Sequence, residues 1–159
     1  MLARAISNLQ APIASEGLSV GLQGDLGAGK TALVRALLRS LGVQGTVKSP
    51  SYALLEPYEV LKLNFYHFDF YRFKSAAEFV QAGFAEYFGA GKVCLIEWPE
   101  RAGGFLPPLD CLIELRIKDG SAETDRTPPR HASIRGTTPI GERCVAILTD
   151  LQNPTRAGA

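Results

Sequence analysis

The sequence predicts an α/β domain of three layers, with helices on both sides of a mixed, mainly parallel sheet, and three observations carry that reading. Leu18-Ser19-Val20-Gly21-Leu22-Gln23 alternates as a short strand does, runs into a glycine-rich turn and leaves it in a helix with Leu33, Leu37, Leu38 and Leu41 at helical spacing. Lys92-Val93-Cys94-Leu95-Ile96-Glu97 is an apolar run closed by a carboxylate, the pattern of a parallel strand buried on both faces. Residues 53–58 and the aromatic, alternating residues 61–69 form an antiparallel hairpin that widens the sheet.

In chain order, residues 1–16 predict a short amphipathic helix, with Leu2, Ala5, Ile6 and Leu9 on one side and Pro12 ending it. After the strand at 18–23, Gly24, Gly29, Lys30 and Thr31 fit G-x-x-x-x-G-K-[ST], the phosphate-binding P-loop. Its flanks are the ones the motif needs, because the helix N-terminus supplies free N–H groups and partial positive charge. Gly42 and Gly45 break the helix, and Thr46–Tyr52 is a polar connection into the hairpin. Ser75-Ala76-Ala77-Glu78 is a capping box that starts a short helix to about residue 81, which Gly83 ends; Phe84–Phe88 is a second amphipathic piece. Strands follow at 92–97 and 110–117, then a loop at 118–130, a last strand at 131–135 and a last helix at 139–151 with Pro139 in its first turn. The fold class is therefore a P-loop NTPase-like α/β domain over residues 1–152, with a frayed tail at 153–159.

A chain of 159 residues, 46% hydrophobic, is long enough for one well-buried core and leaves little room for a second. With 17 basic and 16 acidic residues, no global field draws it onto nucleic acid or membrane, so any RNA connection runs through partners. Neither a cleavable apolar leader nor a stretch of membrane-spanning length occurs, and the chain is expected in the cytoplasm. Cys94, Cys111 and Cys144 sit far apart in apolar strings and read as buried thiols of a reducing compartment. With His67 and His131 the sole histidines, the sequence argues against a histidine-rich metal centre.

The loop fixes the chemistry. Gly27 and Gly29 let backbone amides approach phosphate, Lys30 reaches the β- and γ-phosphates, and the Thr31 hydroxyl faces Mg²⁺. Such a site needs a second acidic group at the end of a neighbouring strand, and the chain offers two: Glu97, followed by Trp98-Pro99-Glu100, and Asp69, followed by Phe70-Tyr71-Arg72. The more buried strand is the better neighbour of the P-loop strand, which favours Glu97 for the metal. Asp69 alternatively pairs with Arg72 or caps a turn. Ser51, in the connection after the P-loop helix, offers a hydroxyl where such proteins sense the γ-phosphate. His67 alternates with Tyr66 and Phe68 as a strand residue on one sheet face. Trp98 is either core or an aromatic wall for a base, and Arg72, Arg101 and Arg130 are candidate phosphate contacts.

Taken together, residues 24–31, Val47-Lys48-Ser49-Pro50-Ser51-Tyr52 with Glu56-Pro57-Tyr58, His67-Phe68-Asp69-Phe70-Tyr71-Arg72 and Leu95-Ile96-Glu97-Trp98-Pro99-Glu100-Arg101 resemble the TsaE family, small bacterial P-loop ATPases with the older name YjeE. The Glu-Trp-Pro-Glu stretch is far more specific than the P-loop. The resemblance implies ATP hydrolysis in making the threonylcarbamoyladenosine modification of tRNA, with TsaB and TsaD as partners and tRNA met only through them. It implies that Asp25, Leu26, Gly27, Ala28, Gly29, Lys30, Thr31 and Ala32 bind nucleotide, with Trp98 beside it and Arg130 as a further contact. Thr31 and Glu97 would be the Mg²⁺ ligands, and Asp69 essential for hydrolysis. Ser51 stands where the family usually has threonine, and Ala32 where a second threonine is common. The alternatives are a small P-loop kinase, which needs an acceptor pocket and an arginine-bearing lid, and a nucleotide-dependent binding switch. No Asn-Lys-x-Asp guanine-reading sequence occurs, which favours ATP.

Overall fold

A computed structural model describes residues 1–118 and 129–152. Most of the expected loop at 118–130 and the expected tail at 153–159 lie outside the described residues. Six strands form one sheet in the order β2-β3-β4-β1-β5-β6: β1 Leu18–Gln23, β2 Leu55–Val60, β3 Leu63–Asp69, β4 Lys92–Glu97, β5 Cys111–Ile117 and β6 Arg130–Gly136. The inner strands β3, β4, β1 and β5 run parallel, and β2 and β6 are antiparallel edges. The expected mixed, mainly parallel sheet is thus present.

Parity along the strands sorts the two faces. Leu63 and Phe65 of β3, Val93 and Leu95 of β4 and Leu18, Val20 and Leu22 of β1 are buried in one core with α1 Leu2–Asn8, α2 Gln10–Glu16, α3 Lys30–Ser40 and α5 Pro139–Gln152. The other face is thinner and aromatic. There Phe68 and Ile96 pack with Phe70, Phe73, Phe79 and Phe84 against α4 Ala77–Gln81 and the 3₁₀ segments Phe84–Tyr87 and Pro99–Phe105. Phe70 and Phe73 stack with centroids 4.5 Å apart, and Phe68 meets Phe84 edge-on at 5.3 Å. Large rings let short helices bury enough area to hold that layer, at roughly 1.5–3 kcal/mol for each fully buried side chain.

Three details depart from the sequence reading. The N-terminal helix is two helices that meet at Leu9, and Pro12 lies in the first turn of α2, where a missing N–H breaks no helical bond. The hairpin lies two residues later than expected, with Leu61 and Lys62 as its turn, both at positive φ (57° and 58°). In the capping box, Glu78 accepts from the Ser75 N–H at 2.9 Å, but the Ser75 hydroxyl accepts from Ala77 rather than from Glu78. All three cysteines are buried free thiols. Among the described residues, no helix is long and apolar enough to cross a membrane.

Candidate functional site

Chain order reverses at β1, which has β4 on one side and β5 on the other. Open α/β sheets bind ligands at the carboxyl edge beside such a reversal. The chain leaves the β1 carboxyl end through Gly24, at φ 136°, where a Cβ would come within 2.2 Å of the Leu115 carbonyl oxygen. Gly29, at φ 105°, then opens α3. Only glycine meets both demands without strain. The first amides of α3 have no helical acceptor.

Lys30 is buried under this loop. Its ammonium donates to the carbonyl oxygens of Gly24 (2.5 Å) and Asp25 (2.9 Å) and stands 3.8 Å from the Trp98 ring centroid. Burial lowers its pKa from the ordinary lysine range, opposed by the negative charges of Glu97, Glu100, Asp69 and Asp25. Trp98 holds its place with a left-handed backbone (φ 59°) and an N–H bonded to Leu22 O at 3.2 Å. Strain of this kind gathers at functional sites. Tyr71 packs on Trp98 with centroids 5.1 Å apart.

The carboxylates arrive from the next strands. Asp69 and Glu97 are register partners at the carboxyl ends of β3 and β4. Glu97 is 3% exposed, too buried for a solvated charge at a strand end. The Thr31 hydroxyl lies 2.8 Å from Glu97 Oε1 and 3.0 Å from Oε2. Asp69, also buried, accepts from the Tyr71 N–H at 3.0 Å through Oδ1 and from the Ser49 hydroxyl through Oδ2. It therefore caps a turn as one alternative had it. Arg72 instead lies over the Tyr52 ring at 4.4 Å.

A cavity of about 470 Å³ spans these groups, bounded by Lys30, Thr31, Asp69, Glu97 and Trp98, with Ser49 and Ser51 along one wall. The structure thus brings Leu26, Gly27, Gly29, Lys30, Thr31, Ala32, Asp69, Glu97 and Trp98 to one cavity. Leu26 is 69% exposed at its mouth, and Asp25 reaches Lys30 through its backbone carbonyl. Arg130 approaches from the β6 side, its Nε donating to Ala28 O at 3.1 Å. Arg101 stays 6.0 Å from the Trp98 and Tyr71 rings and does not line the cavity.

Two residues escaped the sequence reading. Ser49, rather than Ser51, reaches Asp69, and nothing in Ser49-Pro50-Ser51 says which hydroxyl turns inward. His67 is completely buried and bonds Glu97 Oε1 through Nε2 at 2.8 Å. Counting back two residues from Asp69 puts it on the same face, a signal the alternation did contain.

Comparison with known proteins agrees with this geometry. Residues 2–127 match the model of the family described as threonylcarbamoyl adenosine biosynthesis protein TsaE. A Haemophilus influenzae protein named tRNA threonylcarbamoyladenosine biosynthesis protein TsaE is 44% identical over 85% of this chain and 80% of its own length. A Treponema pallidum protein of the same name is 44% identical over 68% of this chain and 80% of its own. The crystal structure of YdiB from Bacillus subtilis superposes with a TM-score of 0.65 at 28% identity, covering 95% of this chain and 89% of that one.

Proposed function

The chain belongs to the TsaE family, and from that premise we propose that it binds and hydrolyses ATP, in concert with TsaB and TsaD, for the threonylcarbamoyladenosine modification of tRNA. The observation that carries the reading is the meeting of the Thr31 hydroxyl with the Glu97 carboxylate, 66 residues apart in sequence, beside the P-loop lysine. P-loop proteins hold nucleotide in this way.

The donor set suits Mg²⁺. Thr31 and Glu97 offer hard oxygen atoms, and Mg²⁺ takes one or two protein oxygens together with phosphate oxygens and waters. Among the described residues no group of three or more His, Cys, Asp or Glu side chains could form an all-protein cage, which accords with a shared site. When bound, Mg²⁺ offsets the charge of the β- and γ-phosphates. Loop amides and the Lys30 ammonium bind the phosphates. Asp69, oriented by Ser49 and Tyr71, positions the attacking water and takes its proton. Trp98 walls one side of the cavity, and Arg130 contacts the nucleotide from the other side of the loop.

Residues 1–152 act as one ATPase domain in the cytoplasm, and tRNA is reached through the partners, since a net charge of +1 gives no steering field of its own. The test is ATP turnover alone and with purified TsaB and TsaD. We expect turnover to rise with both partners present. Equal turnover with and without them contradicts the partnership, and no hydrolysis in any mixture contradicts the ATPase assignment.

A further inference from the structure

We infer that His67 is a positioning residue that fixes the Glu97 carboxylate for the metal of the nucleotide site, an inference that rests on the ATP- and Mg²⁺-binding reading above. His67 lies on β3 in the row Leu63, Phe65, His67, Asp69, and its two predecessors are plain core residues. Its ring is as buried as theirs, at 0% exposed. An apolar side chain would fill that place without desolvating two ring nitrogens. The ring's hydrogen bond goes to Glu97 Oε1, at 2.8 Å, and its Nδ1 is buried without a partner among the described residues.

That asymmetry assigns the tautomer. A buried N–H without an acceptor is rarer than a buried acceptor without a donor. The proton therefore sits on Nε2 and is donated to Glu97, and Nδ1 keeps its lone pair. Glu97 Oε1 is then held from two sides, by His67 and by Thr31, while Oε2 meets Thr31 alone, at 3.0 Å. The imidazole holds the carboxylate's rotation and leaves Oε2 as the oxygen free to ligate. Hydrogen bonds of this kind orient metal-binding carboxylates, and their loss typically costs 10–100-fold in metal affinity. Asp69, two residues on along the same face, is bonded to Ser49 and Tyr71, so it does not compete for the ring.

The test compares the wild type with His67→Phe, which keeps the ring volume without the donor, and His67→Gln, whose amide N–H replaces Nε2–H. Calorimetry measures the affinity for a non-hydrolysable ATP analogue without divalent ions and across a Mg²⁺ titration. We expect metal-free affinity to stay within about two-fold in both variants. His67→Phe should raise the Mg²⁺ concentration for half-maximal tightening roughly 10–100-fold, and His67→Gln should recover most of that loss. An unchanged Mg²⁺ dependence in His67→Phe, or equal behaviour of the two variants, overturns the inference. A wild-type protein that binds the analogue with no Mg²⁺ effect overturns instead the metal reading on which the inference rests. Should His67→Phe fail to fold, the ¹⁵N shifts of His67 in the wild type decide: protonated Nε2 with bare Nδ1 supports the inference, and a proton on Nδ1 ends it.

Discussion

On the function proposed here, Lys30 is the residue on which phosphate binding would turn. Its ammonium sits between two loop carbonyls and the Trp98 face, where burial makes a lone positive charge unfavourable and an incoming phosphate correspondingly welcome. A ligand at a hundred times its dissociation constant stabilises a fold by about 2.7 kcal/mol. Lys30→Ala should lose the ATP-dependent rise in melting temperature that the wild type shows, and an unchanged rise contradicts the role of the loop. The proposed function gives Asp69 a different task. Asp69→Asn preserves shape and an acceptor for the Tyr71 N–H, so nucleotide affinity should stay within about two-fold while turnover falls by roughly 10²–10⁴. Single-turnover kinetics beside equilibrium binding separates the two effects. At this scale the sequence was readable where residue type and spacing mark a position, as with Lys30, Thr31 and Glu97, which the structure brings to one cavity. It was not readable for His67 and Ser49, whose roles are set by strand register and by a rotamer, neither of which is written locally.

The elements form for reasons visible in the sequence, and where they were misjudged the cause is specific. β4 was legible because an unbroken apolar run has only one comfortable place, the middle of a parallel sheet. The β2–β3 turn was not, because Leu61-Lys62 lacks the Asn-Gly or Asp-Gly that marks a two-residue turn with both φ positive. The antiparallel register from Leu55–Phe68 to Val60–Leu63 imposes that turn in spite of its residues. Each non-glycine residue there carries a local cost of roughly 1–2 kcal/mol. Lys62 is exposed, so Lys62→Gly should stabilise the protein by up to about 1 kcal/mol, read as a higher urea midpoint with an unchanged m-value. A lower midpoint contradicts the turn geometry. The split at Leu9 has no comparable signal, since Leu9 fits a continuous helix as well as a junction.

For the molecule as a whole, three of the four parallel strands, β1, β3 and β4, deliver the P-loop, Asp69 and Glu97 to one edge, and two helical layers of unequal thickness hold the sheet in place. The thiols report on that packing. Burial pushes the Cys94 thiol up to about 12 from an ordinary 9.0, so the unfolded chain ionises first. The stability this thiol confers is intact below pH 9 and declines as pH rises towards 12. At pH 8 the three buried cysteines should resist iodoacetamide in the folded protein and react together in urea; prompt alkylation of the folded chain contradicts the core described here.

The most direct test is a crystal structure grown with a non-hydrolysable ATP analogue and Mg²⁺. We expect the triphosphate on the amides of residues 24–31 against Lys30, the ion between the Thr31 hydroxyl and Glu97, and the Asp69 carboxylate facing the γ-phosphate. A triphosphate bound elsewhere, or an ion with neither Thr31 nor Glu97 among its neighbours, would contradict it.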